Sequence, residues 1–453
     1  MIEKRYICNG QKKTTTMYRR IIEDLNKWKN SPDRKPLILR GARQCGKTWI
    51  LKEFGKTQYK KFAYILFDDN ENMKRVFSEA FNINRIITAI EIECGFKITA
   101  KDTLIFFDEI QECPQALKSL KFFCENAPEY HIVSAGWLLG LTLHQDTGFP
   151  VGKVEFLDLY PLDFEEFLMA VNQNGLCMAL QSMDWTLINS YKDRFVEYLR
   201  YYYYVGGMPE VVADFAEKKD FQRVNKIKKQ IIDTYKSDFS KHAPFEIVNR
   251  IIEVYQSLPS QLAKENKKFI YGVIKKGARA KEYSSAINWL CDAGLVYKIP
   301  KINKPALPLM AYQDIDSFKL FMSDTGLLCA LSGLDAKVIL EQNAMFQEFK
   351  GALTEQYILQ QLKTNSNFGI FYWSSDTTNS ELDFLLQYTD RIIPIEVKAA
   401  ENLQAKSLKF FRQKFSIPQS VRFSLADFRE DVGLTNIPLF GALRLEKYLM
   451  EKE

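Results

Sequence analysis

Residues 41–48 read Gly41-Ala42-Arg43-Gln44-Cys45-Gly46-Lys47-Thr48, the spacing G-x-x-x-x-G-K-[ST]. An apolar run, Pro36–Leu39, stands before it and a helix-forming run, Trp49–Phe54, after it. A strand that feeds a glycine loop into a helix leaves few folds open, because the loop amides must converge at the helix N-terminus. Such amides form a nest for phosphate. Gly41, Arg43, Gln44, Cys45 and Gly46 supply the loop. Lys47 is placed to reach β- and γ-phosphates, and Thr48 to set a hydroxyl on Mg2+. The expected ligand is ATP, with Mg2+ as its ion.

A second string has the complementary chemistry. Leu104-Ile105-Phe106-Phe107-Asp108-Glu109 is a buried strand ending in two acids. Asp108 suits the Mg2+ shell and Glu109 suits polarisation of the attacking water. The other reading of such an ending is a plain surface cap. Pro36–Leu39, Phe62–Phe67, Leu104–Phe107 and His131–Ser134 alternate with helical stretches, the pattern of a parallel α/β sheet. His131–Ser134 should lie beside the phosphate-loop strand.

At 453 residues the chain is too long for one core, and about three domains are expected. The partition read from the sequence is 1–160 for a P-loop core, 161–335 for a helical lid running into a winged helix, and 336–453 for a second α/β unit. A hydrophobic content of 46% excludes wholesale disorder. Eight cysteines without a CxxC pair and only three histidines speak against structural zinc. No apolar run approaches the roughly 20 residues of a spanning helix, and no cationic stretch leads into an apolar one. The expected setting is cytoplasmic, with reduced thiols and no membrane.

The net charge of +6 is not evenly spread. Between Gln261 and Lys304 ten Lys/Arg face three acids, so the rest of the chain is nearly neutral. Ala280–Ala293 followed by Gly294–Ile299 fits a helix-turn-helix with a wing strand. Ala286, Trp289 and Leu290 would face the core at i, i+3, i+4. Lys281, Ser284, Ser285 and Asn288 would face outward. Lys275, Lys276, Arg279 and Lys281 are the nucleic-acid candidates, suited to double-stranded DNA. Packing or protein contact is the competing use of such a face.

The tail places Glu355 on a helix, Asp383 on a strand and Glu396-Val397-Lys398 on the next strand of a hairpin turning at Tyr388–Arg391. Period 2 puts Glu396 and Lys398 on one face. Asp383, Glu396 and Glu355 would bind Mg2+ or Mn2+, and Lys398 would orient or deprotonate water. This D-x12-E-x-K pattern resembles the PD-(D/E)xK nuclease superfamily. An ion-pair ladder on a hairpin is the alternative.

Over most of its length the chain resembles the bacterial and archaeal AAA+-like ATPases that carry a characteristic C-terminal domain. The shared strings are the Walker A loop at 41–48, a Walker B-like Phe-Asp-Glu-Ile-Gln at 107–111, Phe-Pro-Val-Gly-Lys-Val at 149–154 and Tyr-Pro-Leu-x-Phe-x-Glu-Phe at 160–167. Gly-Gly-Met-Pro-Glu at 206–210 and Ser-Asp-Thr-Gly-Leu at 323–327 complete the set. One departure stands out. Where the family usually reads Ala-Gly-Ser-Leu-Leu-Gly, this chain has Ala135-Gly136-Trp137-Leu138-Leu139-Gly140. If that serine senses the γ-phosphate, Trp137 removes the sensor, Ser134 or Gln111 must substitute, and slow hydrolysis is expected. The resemblance implies an ATPase coupled to a DNA-binding winged helix and a metal-dependent nuclease-like domain. The alternative is a nucleotide-controlled homo-oligomeric switch whose C-terminal domain is an inactive binding module.

Overall fold

The computed structural model describes residues 17–79, 81–137, 150–264, 267–341, 344–365, 367–375, 377–401 and 404–452. Five strands build the first sheet: β1 (Leu37–Arg40), β2 (Lys61–Leu66), β3 (Thr103–Asp108), β4 (His131–Ala135) and β5 (Glu155–Asp158). Their order is β2-β3-β4-β1-β5 and every pair is parallel. Central strands of such a sheet are covered on both faces, so they read as unbroken apolar runs. All six residues of β3 and all five of β4 are buried accordingly. Helices α1 (Ile21–Asn30), α2 (Lys47–Gln58), α3 (Glu71–Ser78), α4 (Ile83–Cys94) and α5 (Pro114–Asn126) complete this unit. β4 pairs with β1 as expected, Leu37 opposite Val133. β5 was not expected. It is a short, partly exposed edge strand whose Glu-Phe-Leu-Asp carries no apolar run.

Helices follow: α6 (Phe164–Ala170), α7 (Asn174–Ser182), α8 (Trp185–Ser190), α9 (Lys192–Val205), α10 (Pro209–Lys218) and α11 (Phe221–His242). The tyrosine run lies in α9, with Tyr202, Tyr203 and Tyr204 buried as a packing face. The Tyr202 hydroxyl donates to the Leu162 carbonyl and accepts from Gln360 Nε2 at 2.9 Å, so its burial leaves no orphan polar atom.

α12 (Val248–Leu262) leads into the basic segment, which carries α13 (Tyr271–Ile274), α14 (Ala280–Asp292) and β6 (Val296–Ile302); β6 pairs antiparallel with β7 (Gln313–Met322). Helices α15 (Thr325–Leu331) and α16 (Ala336–Leu340) follow. The C-terminal unit runs α17 (Ala344–Lys363), β8 (Phe368–Ser374), β9 (Glu381–Tyr388), β10 (Arg391–Val397), α18 (Lys406–Phe415), β11 (Ser420–Ser424), β12 (Arg429–Asp431), β13 (Leu434–Pro438) and α19 (Leu445–Met450). Its sheet has eight strands, ordered β12-β13-β11-β10-β9-β8-β6-β7. The β6–β7 hairpin is thus its far edge, and the boundary expected at 335/336 runs between two parts of one sheet.

A buried polar knot joins the family strings. Asp324 is fully buried, and its carboxylate accepts from the amides of Gly207 (2.6 Å) and Leu327 (2.9 Å) and from Gln360 Nε2 (3.3 Å). Gly207 is required by space. A Cβ there would stand 2.2 Å from the Leu162 carbonyl oxygen. Residues 160–162, 206–210 and 323–327 therefore meet at one place, with α17 of the C-terminal unit against them. No helix among the described residues is long and apolar enough to cross a membrane.

Candidate functional site

The phosphate loop leaves the C-terminal end of β1 and enters α2 at Lys47. Asp108 ends β3, and the register sets both Leu39 and Asp108 opposite Ala135 of the intervening β4. Two strand spacings of about 4.8 Å separate β1 from β3, a gap the residues after the loop can span. Thr48 does so, its Oγ1 donating to Asp108 Oδ1 at 3.1 Å. This hydroxyl and carboxylate are donors of the kind a hard divalent cation takes, so the pair fits the Mg2+ that accompanies ATP. Tyr64 on β2 donates to the other Asp108 oxygen at 3.0 Å. Burial raises the Asp108 pKa above the ordinary carboxylate value, against the lowering effect of these two hydrogen bonds.

Lys47 is buried, its ammonium donating to the carbonyls of Gly41 and Ala42 at 2.8 Å each. Cys45 is buried and Gln44 exposed, at the crown of the loop. Glu109 sits just past the end of β3 in the left-handed region (φ 49°), a costly conformation for glutamate. Gln111 Nε2 donates to Glu109 Oε2 at 2.6 Å and fixes the carboxylate. A cleft of about 630 Å3 opens over the loop, lined by Lys47, Thr48, Glu109 and Trp137 with Met17, Pro209 and Ala213. Ser134 is not available to it, because its hydroxyl donates to the Leu37 carbonyl inside the sheet at 3.1 Å.

Arg43 also lines the cleft. Its guanidinium pairs with Asp238 of α11 and lies 5.5 Å from the Trp137 ring centroid. Trp137 is buried and meets His242 edge-on at 5.1 Å and Trp289 of α14 at 6.2 Å. Just past the same end of α14, Gly294 (φ 71°) comes so close that a Cβ would be 3.1 Å from the Ala42 amide nitrogen. The turn after α14 therefore touches the phosphate loop directly, and α14 itself, which carries Lys281, reaches it through an indole. Residues 138–149, with Leu138, Leu139 and Gly140 of one family string, lie outside the described residues. Lys153 pairs with Glu125 at 2.9 Å, away from the cleft.

On α14 Ala286, Trp289 and Leu290 are buried, and Lys281, Ser284, Ser285 and Asn288 are exposed. Lys275, Lys276 and Arg279 are exposed on the approach to that helix.

In the C-terminal unit β9 and β10 pair antiparallel with Ile395 opposite Phe384. One step further in that register, Glu396 faces Asp383. The Val397 amide donates to Asp383 Oδ2 at 2.7 Å. Asp383 is pushed up to about 8, chiefly by burial and then by the charge of Glu355, while Lys319 and Lys267 pull the other way. Lys398 Nζ stands 2.5 Å from Glu396 Oε1, and Lys267 Nζ 2.5 Å from Glu355 Oε1. The second oxygens, Glu355 Oε2 and Glu396 Oε2, are buried without a hydrogen-bond partner. Three carboxylates, two of them with an orphan oxygen, have the right chemistry for Mg2+ or Mn2+. Even so, among the described residues no three His, Cys, Asp or Glu side chains are gathered closely enough to hold a metal ion. Lysines stand between them.

Three participants escape a reading of the sequence. Arg19 is buried and donates to the Cys45 carbonyl at 3.1 Å, the Tyr160 carbonyl at 2.5 Å and Glu166 at 3.2 Å, bracing the loop from below. The available signal was the Glu-Phe string, where Glu166 closes a capping box with Asp163. Tyr64 and Lys319 gave no local signal.

The AAA domain family matches residues 33–168. Two families described as domains of unknown function, DUF8612 and DUF4143, match residues 196–338 and 350–440. No curated protein matches the chain. Among solved structures, the Walker-type ATPase of Pyrococcus abyssi is similar at 14% identity and a TM-score of 0.42, covering 70% of this chain and 95% of that one. The Aeropyrum pernix ORC1 protein in complex with DNA gives 12% and 0.27, covering 70% and 91%. Cdc6p of Pyrobaculum aerophilum gives 12% and 0.24, covering 73% and 97%. The AAA match, the five-stranded parallel sheet and the loop geometry together define a P-loop ATPase core.

Proposed function

We propose that the protein binds and hydrolyses ATP with Mg2+, grips duplex DNA with a winged helix, and carries a metal-dependent nuclease-like domain under nucleotide control. The observation that carries the reading is the double contact of α14 and the turn after it with the ATP site, through Trp289 on Trp137 and Gly294 on Ala42. Filling the phosphate site moves or stiffens the surfaces that α14 rests on. The order α12, α13, α14, β6, β7 supports the winged-helix reading. The order α17, β8, β9, β10, α18, β11, with β10 parallel to β11, supports the nuclease-like one.

In hydrolysis Lys47 exchanges its loop carbonyls for the β- and γ-phosphate oxygens. Thr48 and Asp108 would hold the Mg2+, which would neutralise phosphate charge when bound. Glu109, held by Gln111, orients the attacking water and draws off its proton. In the C-terminal unit Glu355, Asp383 and Glu396 would hold a divalent cation that acidifies water. Lys398 there orients the water or balances charge on the phosphodiester.

The test is cleavage of plasmid and linear duplex with Mg2+ or Mn2+, with and without ATP, in wild type, Lys398→Ala and Lys47→Ala. Cleavage abolished in Lys398→Ala and altered in Lys47→Ala is the expected result. Absence of cleavage in a protein that binds ATP refutes the nuclease part. The second reading, a homo-oligomeric switch, is favoured by Trp137, a bulky ring where a small sensor would sit. Light scattering with ATP and with ADP tests it. A switch changes its oligomeric state and the change requires Lys47.

A further inference from the structure

Two of the ammonium groups among the C-terminal carboxylates come from earlier in the chain, Lys267 from the basic segment and Lys319 from the strand that follows it. Lys319 lies in β7 with its side chain fully buried. Its Nζ is 2.5 Å from Glu381 Oε1 and within Coulomb reach of Glu355 and Asp383. Lys267 sits in the loop between α12 and α13, 11% exposed, against Glu355 Oε1. With Lys398, three ammoniums face four carboxylates: Glu355, Glu381, Asp383 and Glu396.

The orphan oxygens of Glu355 and Glu396 show what this arrangement lacks. A buried carboxylate oxygen without a partner is costly, so each is an acceptor waiting for a cation. An ion bound to Glu355 would meet the Lys267 ammonium across a few ångströms, and like charges so placed repel strongly. One of the two must leave. Lys319 is fixed in a paired strand and sealed from water. Lys267 is on a loop and reaches solvent.

We propose that Lys267 is a displaceable internal counter-ion that holds the divalent-cation position of the C-terminal site closed, while Lys319 is its permanent buried partner. This rests on the metal-dependent reading of that site. A divalent cation enters by taking Glu355 from Lys267. The basic segment thereby controls access to the carboxylates, and the site is a composite of two stretches of chain.

Nucleotide-free full-length protein, whose phosphate loop then lacks the oxygens that complete its ion site, is titrated with Mn2+ and the free ion followed by electron paramagnetic resonance. Wild type binds weakly. Lys267→Met and Lys267→Gln each bind about tenfold more tightly. Adding Glu355→Gln to either removes the gain, and thermal melting checks that every variant is folded. Equal affinity in wild type and both Lys267 variants, with Glu355→Gln still weakening binding, overturns the gate and leaves the metal reading standing. Absence of Mn2+ binding in all of them overturns both.

Discussion

His131 opens β4 on the floor of the ATPase core, and acid should find it. The ring is 7% exposed, accepts or donates at Nδ1 with the Tyr59 hydroxyl at 2.7 Å, and meets Trp28 and Tyr59 edge-on. Burial, with Arg34 and Lys29 nearby, lowers its pKa from 6.5 to about 4. In the unfolded chain the imidazole protonates near 6.5. Between those values the unfolded state binds more protons, so stability falls as pH falls through 6.5 and stops falling below about 4. The full gap corresponds to about 3 kcal/mol, and the part between pH 7 and pH 5 to about 2 kcal/mol. His131→Phe keeps the ring packing and removes the titration. Its own cost does not vary with pH, so the slope carries the test. Denaturant unfolding at pH 7 and pH 5 should show a smaller drop in the variant, by about 2 kcal/mol. Histidine resonances give a direct check, since the chain has only three histidines. A His131 signal with a midpoint near 6.5, or equal slopes in the two proteins, refutes the argument.

Trp137→Ser should raise the ATP turnover rate by restoring a small hydroxyl beside the loop, and should cost about 3 kcal/mol of stability because the packed indole is removed; a steady-state phosphate assay with equal rates refutes the first part. Gly207→Ala drives a methyl into the Leu162 carbonyl and should lower the melting temperature by several degrees, readable by calorimetry. Replacing Lys275, Lys276, Arg279 and Lys281 by alanine should weaken duplex binding and flatten its dependence on log salt by about 0.9 for each phosphate no longer neutralised. An unchanged slope in a fluorescence-anisotropy titration would remove those residues from the interface.

Local strings made the ATP site legible. The phosphate loop, the acids ending β3 and the buried face of α14 are short-range patterns whose geometry follows from strand and helix periodicity. Asp383 opposite Glu396 was also readable, because hairpin register follows from the turn at Thr389-Asp390. What stayed hidden depends on distant chain segments. Arg19 reaches Glu166 and Cys45 from a helix entry that looks like any basic surface. Tyr64 looks like one more strand aromatic until β2 is set beside β3. Lys319 stands in an otherwise apolar strand end, where alternation alone would send it to solvent; only the Glu381, Asp383 and Glu355 side chains brought by β9 and α17 account for a buried ammonium. The pairing of β6 with β8 is equally non-local, and so is the sheet that spans the expected boundary.

That pairing bears on how the protein is made. β6 and β7 leave the ribosome well before β8, and during that interval the side of β6 that β8 will cover presents bare amides and carbonyls to its surroundings. The ATPase core can fold first on its own parallel sheet. The hairpin must wait with one margin open, at the stage of synthesis when a nascent chain is most prone to pair with a neighbour on the same messenger. A fragment ending near residue 335 keeps that margin for good. Its tendency to self-associate would then record a missing adjacent strand, and oligomers seen with such a fragment would say nothing about the assembly of the whole chain.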